Sequence, residues 1–139
     1  MKWSWLTLVV LVGSGGVWSV GCGDDDASGT APSISNLTCE TCDATPLALN
    51  ESQTLYGSFD FADPDGDVEL MQMDVLNPNG LTSVAPDTAL SNVAGAETGS
   101  VSWNVTLAPT QTGTYELTLR LVDAEGNVSN ELQDSFEVQ

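Results

Sequence analysis

A two-residue rhythm constrains this chain more than any other feature. Val101, Trp103, Val105 and Leu107 alternate with Ser102, Asn104 and Thr106, and Tyr115, Leu117, Leu119 and Leu121 alternate with Glu116, Thr118 and Arg120. Successive side chains of a strand point to opposite faces, so such a segment pairs one buried face with one wet face. The rhythm recurs in Leu55, Gly57, Phe59 and Phe61 and in Met71, Met73 and Val75, while Leu132, Phe136 and Val138 mark a last strand. No stretch carries sustained helical periodicity. Turn chemistry separates the runs: Asp63-Pro64-Asp65-Gly66, Asn77-Pro78-Asn79-Gly80, Thr112-Gly113 and Glu125-Gly126-Asn127. Short alternating strands with such punctuation predict an all-β antiparallel sandwich. The 139 residues suffice for one domain. Trp103, Tyr115, Phe59, Phe61 and Phe136 are its expected core anchors. Met71 and Met73 share one strand face, which favours core packing over a soft metal pair.

Two segments carry a family resemblance. FADPDGDVELMQMDVLNPNG (61–80) resembles the B strand, C strand and following turn of bacterial immunoglobulin-like domains, and TGTYELTLRLVDAEGNVS (112–129) resembles their F strand and F–G turn. Cadherin-like and PKD-like modules share these patterns. The resemblance implies an immunoglobulin-like sandwich of about seven strands over 33–139, with Tyr115 where a tyrosine corner sits. The inter-sheet cysteine pair of antibody domains is missing.

The N-terminal region points to an address. Met1-Lys2 is a minimal positive start, and Trp3 to Gly21 contains no charge. Gly13, Gly15 and Gly16 weaken a helix there, as in a secretory signal rather than a membrane span. Ser19-Val20-Gly21-Cys22 resembles the lipobox of bacterial lipoproteins, with Ser19 where leucine is commonest. The resemblance implies a signal peptide over 1–21, cleavage before Cys22 and its lipidation, hence a membrane partner through acyl chains. It also implies a place in a bacterial cell envelope, at the outer membrane or cell surface rather than the inner membrane. An uncleaved signal anchor and an ordinary secreted start are the alternatives. Residues 22–32 form the lipidated cysteine and an acidic tether. Asp24, Asp25 and Asp26 on it are expected to be a solvated spacer rather than a metal site, since adjacent carboxylates on a flexible chain have no fixed geometry.

The remaining cysteines, Cys39 and Cys42, form a CxxC pair. Redox catalysis or half a zinc site would use this spacing. No second CxxC and no histidine completes four ligands, and Glu40 and Asp43 would raise rather than lower a thiol pKa. A structural disulfide is the expectation.

Composition excludes several functions. Lys2 and Arg120 stand against 20 acids, for a formal net charge of −18, and there is no histidine. Such a surface repels phosphate backbones, so no nucleic acid is expected as partner. Without histidine, and with lysine only at position 2, Ser-His triads, Schiff bases and a P-loop lysine are ruled out. A small sandwich seldom offers the cleft that paired carboxylates need for catalysis, so no enzyme and no required cofactor are expected. One constellation carries chemistry. Asp63, Asp65 and Asp67 alternate in a turn, and an immunoglobulin-like topology brings them to the end that holds Asp123 and Glu125. Five acids at one apex would suit a calcium ion, which takes six to eight oxygens; the plainer reading is a turn capped by its own aspartates. The topology also starts the first strand at that apex, so the tether leaves from the acidic end and Gln139 lies away from it. The expected function is a monomeric, lipid-anchored envelope module that binds an envelope protein or glycan. A structural spacer or accessory subunit of an envelope assembly, and a calcium-dependent adhesion module, are the alternatives.

Overall fold

A computed structural model describes residues 29–43 and 46–139; Cys22, the expected signal peptide and most of the expected tether lie outside them. Each alternating run is a strand. In chain order the strands are β1 (Ser33–Cys39), β2 (Gln53–Ala62), β3 (Val68–Leu76), β4 (Thr82–Val84), β5 (Thr88–Ala89), β6 (Thr98–Leu107), β7 (Gly113–Asp123) and β8 (Leu132–Val138), with one turn of 3-10 helix at Ser91–Val93. Every strand-to-strand pairing is antiparallel, and the strands form two sheets: β1-β2-β6, and β4-β3-β7-β8 with β5 also on β3. This is an immunoglobulin-like β-sandwich. Among the described residues it has six longer strands and, between β3 and β6, two very short ones, in keeping with the expected seven or so. No helix among the described residues is long and apolar enough to cross a membrane.

The inward face of each strand makes the core. Leu55, Leu117, Leu119 and Leu121 are fully enclosed, and Phe59, Phe61, Met71, Met73, Trp103 and Phe136 are buried with them. The methionines therefore pack in the interior, as their spacing suggests. Tyr115 makes the expected corner: it stacks on Phe136 with ring centroids 5.2 Å apart, and its hydroxyl donates to the Gln111 carbonyl at 3.1 Å. Val105, Leu107 and Leu132, at the ends of the alternating runs, are only half-buried.

Two local devices tie the sheets. Between β1 and β2 the chain crosses to the second sheet, where the Leu47 N–H donates to Glu137 and its carbonyl accepts from Gln139. At the opposite end the Asn130 side chain acts as a piece of strand, accepting from the Ile34 N–H at 2.8 Å and donating to the Ile34 carbonyl at 2.9 Å. β1 is bulged between Ser35 and Thr38. The bulge presses β1 onto Gly57, where an added Cβ would lie 1.8 Å from the Thr38 carbonyl oxygen, so glycine is required there.

Cys39 and Cys42 form a disulfide across the turn that ends β1, with Cα atoms 5.2 Å apart. Cys39 is buried and pairs with Gly57 in the β1–β2 ladder, and Trp103 packs against that glycine.

Trp103 fills the space between the two sheets and is 2% exposed. Trp103→Ala is expected to cost about 3–5 kcal/mol. Denaturant unfolding of the variant checks this, and an unchanged midpoint would remove Trp103 from the core.

Candidate functional site

The β2–β3 and β7–β8 turns meet at one pole of the sandwich and follow the same local pattern. Asp63-Pro64-Asp65-Gly66-Asp67 and Asp123-Ala124-Glu125-Gly126-Asn127 each start with a buried aspartate and place a glycine at the fourth position. Gly66 and Gly126 sit at φ of 68° and 88°, a conformation glycine adopts without steric cost. Their N–H groups close the turns onto the carbonyls of Asp63 and Asp123, each at 3.1 Å. The buried aspartates then use their carboxylates as caps. Asp63 accepts from the Asp67 N–H at 2.9 Å and the Asp65 N–H at 3.3 Å. Asp123 accepts from the Asn127 N–H and side-chain amide, each at 2.7 Å. A buried carboxylate is costly unless donors satisfy it, and here the turn's own backbone supplies them.

The five acids therefore divide. Asp63 turns inward and serves its own loop. Asp65 is exposed and accepts from the Thr30 N–H, which fixes the start of the described chain to this pole. Asp67, Asp123 and Glu125 come together, with one carboxylate oxygen of each within 4.8 Å of the others. The two loops are also joined by their backbones, the Ala124 N–H donating to the Asp67 carbonyl at 3.0 Å. One oxygen of the group, Asp67 Oδ1, is buried without a hydrogen-bond partner. Sequence reasoning overlooked Asn127 and Thr30 as partners of the acids. The repeated Asp-x-x-Gly-Asp/Asn pattern was the signal that could have revealed the first.

The electrostatics follow from this crowding. The neighbouring Glu125 carboxyl, which competes with Asp67 for a shared proton, lifts the Asp67 pKa above its ordinary value of 3.8; burial and the charge of Asp123 add to the shift. Burial raises the Asp63 pKa, and the two backbone donors partly oppose it. Elsewhere, Asp134 brings a carboxylate oxygen within 4.8 Å of the sulfurs of Cys39 and Cys42. With those sulfurs bonded to each other, that group offers a metal a single hard ligand. Arg120, the one basic side chain among the described residues, pairs with Asp74 and reaches Glu131 at 3.6 Å, away from the acidic pole.

No family model and no curated protein matches this chain. Its fold is similar to part of β-glucosidase 3B from Thermotoga neapolitana, at a TM-score of 0.50 and 14% identity over 77% of this chain. This chain spans only 16% of that protein's length, and the likeness is one of fold. This chain is also similar to a Niemann-Pick type C2 protein from Japanese carpenter ant (TM-score 0.47, 10% identity, covering 80% of this chain and 95% of that one). A further likeness is to the PKD domain of an M14-like peptidase from Thermoplasmatales archaeon SCGC AB-540-F20 (TM-score 0.43, 17% identity, covering 78% of this chain and 92% of that one).

A raised carboxyl pKa means that the folded state holds its proton more tightly than the unfolded chain does. The stability linked to that proton is present at low pH and is lost as pH rises through the folded value. Asp67→Asn, which removes the charge, is expected to melt higher than the unmodified chain at pH 7 in EGTA. The gap should close as pH falls towards 3.8. Thermal melts across pH measure this; a variant that melts lower at pH 7 contradicts the electrostatic account.

Proposed function

We propose that this chain is a lipid-anchored, non-catalytic binding module of a bacterial cell envelope. The supporting observation is Cys22 behind Ser19-Val20-Gly21 at the end of an uncharged stretch, a short distance before Thr30 is hydrogen-bonded into the domain. In this reading acyl chains on Cys22 supply the membrane affinity, which a chain of net charge −18 would not gain from anionic head groups. The sandwich then acts through its surface. The composition also supports a non-catalytic role: histidine is absent, and both aspartates buried at the acidic pole are used as turn caps. The chain enters the domain at the acidic pole, so in this reading that pole faces the lipid and Gln139 faces away. Intact mass of the membrane-extracted protein tests the anchor. The expected result is loss of residues 1–21 and a multiply acylated Cys22; retained Met1 with a free Cys22 thiol overturns it.

One observation favours calcium as a second element of this function. Asp67 Oδ1 is buried, unpartnered and grouped with carboxylate oxygens of Asp123 and Glu125. A calcium ion binds oxygens at about 2.3–2.6 Å, so oxygens up to about 5 Å apart can share one. Asp67, Asp123 and Glu125 would be its protein ligands, while Asp63 and Asp65 keep their backbone donors. Millimolar calcium is expected to raise the melting temperature and EGTA to lower it. An unchanged melt in both removes calcium from the account.

A further inference from the structure

The flank of the sandwich between β4 and β6 is open. Among the described residues β6 ends its sheet and pairs with β2 alone, in register over all ten residues without a bulge. One residue in two along an antiparallel edge directs its N–H and C=O outward, so β6 presents a row of free backbone donors and acceptors. Proteins usually guard such an edge with charge, proline, a bulge or extreme shortness. Thr98-Gly99-Ser100-Val101-Ser102-Trp103-Asn104-Val105-Thr106-Leu107 carries none of these guards. In contrast, β8, which ends the other sheet, carries Asp134 and Glu137.

Beside this edge lies a cleft of about 620 Å³ that reaches between the sheets. Val105 and Leu107 of β6 form one wall, Val75 and Tyr115 of the facing sheet the floor, and Val84 and Ala85 the far rim. Val84 is 72% exposed, and nearby Leu81 is 64% exposed. The cleft occupies the place of a further strand beside β6: among the described residues nothing pairs with the outer backbone groups of β6, and half-buried Val105 and Leu107 with exposed Val84 offer apolar surface above the buried Val75 and Tyr115.

We infer that the β6 edge and this cleft accept an extended segment of another protein, which adds as a strand with alternating apolar side chains inward and lysine or arginine at its ends. The inference rests on the reading of the chain as a binding module and supplies its partner's chemistry. Strand addition draws affinity from main-chain hydrogen bonds and selectivity from alternate side-chain pockets, and both are available here. Charge selects the occupant. The chain's net charge is −18, Asp87 lines the cleft, and Arg120 is already paired with Asp74. A second copy would bring its own acids to the interface, whereas a basic-flanked segment meets a complementary field.

The test uses the full chain in detergent and a labelled peptide, Lys-Val-Thr-Val-Thr-Val-Thr-Val-Lys, with its outward amides methylated against self-association. Fluorescence anisotropy is expected to show saturable binding that weakens with salt. Hydrogen exchange is expected to slow along β6 and nowhere on β8. Val105→Lys places a like charge in the cleft and is expected to weaken binding about tenfold or more. Val84→Lys alters an exposed rim position, leaves the melt unchanged and weakens binding less, which separates a docking effect from misfolding. A Glu-flanked peptide that binds equally well, equal binding by both variants, protection confined to other strands, or concentration-dependent dimers that protect β6 without peptide would each overturn the inference. Capture of a stoichiometric envelope partner that Val105→Lys does not disturb would leave the binding-module reading standing and sink this site; recovery of no partner by the unmodified chain would sink the reading itself.

Discussion

The contact between the inner faces of the two sheets supports everything else in this molecule. Leu55, Phe59, Val101 and Trp103 from one sheet meet Met71, Met73, Leu117, Leu119 and Leu121 from the other. Burying a large apolar side chain contributes roughly 1.5–3 kcal/mol, and few other terms in a small sandwich are of comparable size. The layer also fixes register. A slip by one residue in β2 or β7 would turn an entire apolar row to water, so the alternation that specifies the strands also specifies their alignment. With the strands locked, the turns at each pole have no freedom over which residues they bring together.

That lock accounts for the acidic pole. Its two turns are held by aspartates that no longer face solvent, and the same residue type crowds at the surface a few ångströms away. Asp63 and Asp123 stabilise the pole by satisfying N–H groups; Asp67 and Glu125 oppose it by proximity. The balance differs because donors are at hand for the first pair and lacking for Asp67 Oδ1. Asp67 is the member of the pole whose state is most sensitive to pH; a cation would engage it together with Glu125 and with Asp123, which also caps its own turn, while Asp63 is architecture.

What the sequence discloses follows from how much each segment buries. The long strands declare themselves because one face of each is apolar over several repeats. β4 and β5 are exposed throughout and too short for a repeat, so no pattern marks them. Leu47 and Asn130 are equally hidden. Leu47 joins the sheets through backbone hydrogen bonds and Asn130 through its side-chain amide, and neither sits in a run whose chemistry advertises the role. The bulge at Ser35–Thr38 leaves a trace only in its partner: Gly57 interrupts an otherwise bulky row, and the cause lies on another strand. At the acidic pole, topology brings the two acidic turns to one end, where Asp67, Asp123 and Glu125 gather their carboxylates. Which acids turn inward depended on Asx-type hydrogen bonds at the scale of single torsions.

The chain's path has a mechanical corollary. Thr30 is fastened at one pole, and Gln139 is tied to Leu47 at the other. β1 and β8, the strands nearest those two points, lie in different sheets and run along the same axis. Tension between residues 30 and 139 would therefore slide strands past their neighbours and load many ladder hydrogen bonds together, instead of peeling them off one by one. The paired hydrogen bonds of Asn130 to Ile34 sit across that load path and would share it between the sheets. Pulled between those two points, a domain threaded in this way behaves as a stiff link, with a lifetime under load set by its unfolding rate rather than by its equilibrium stability.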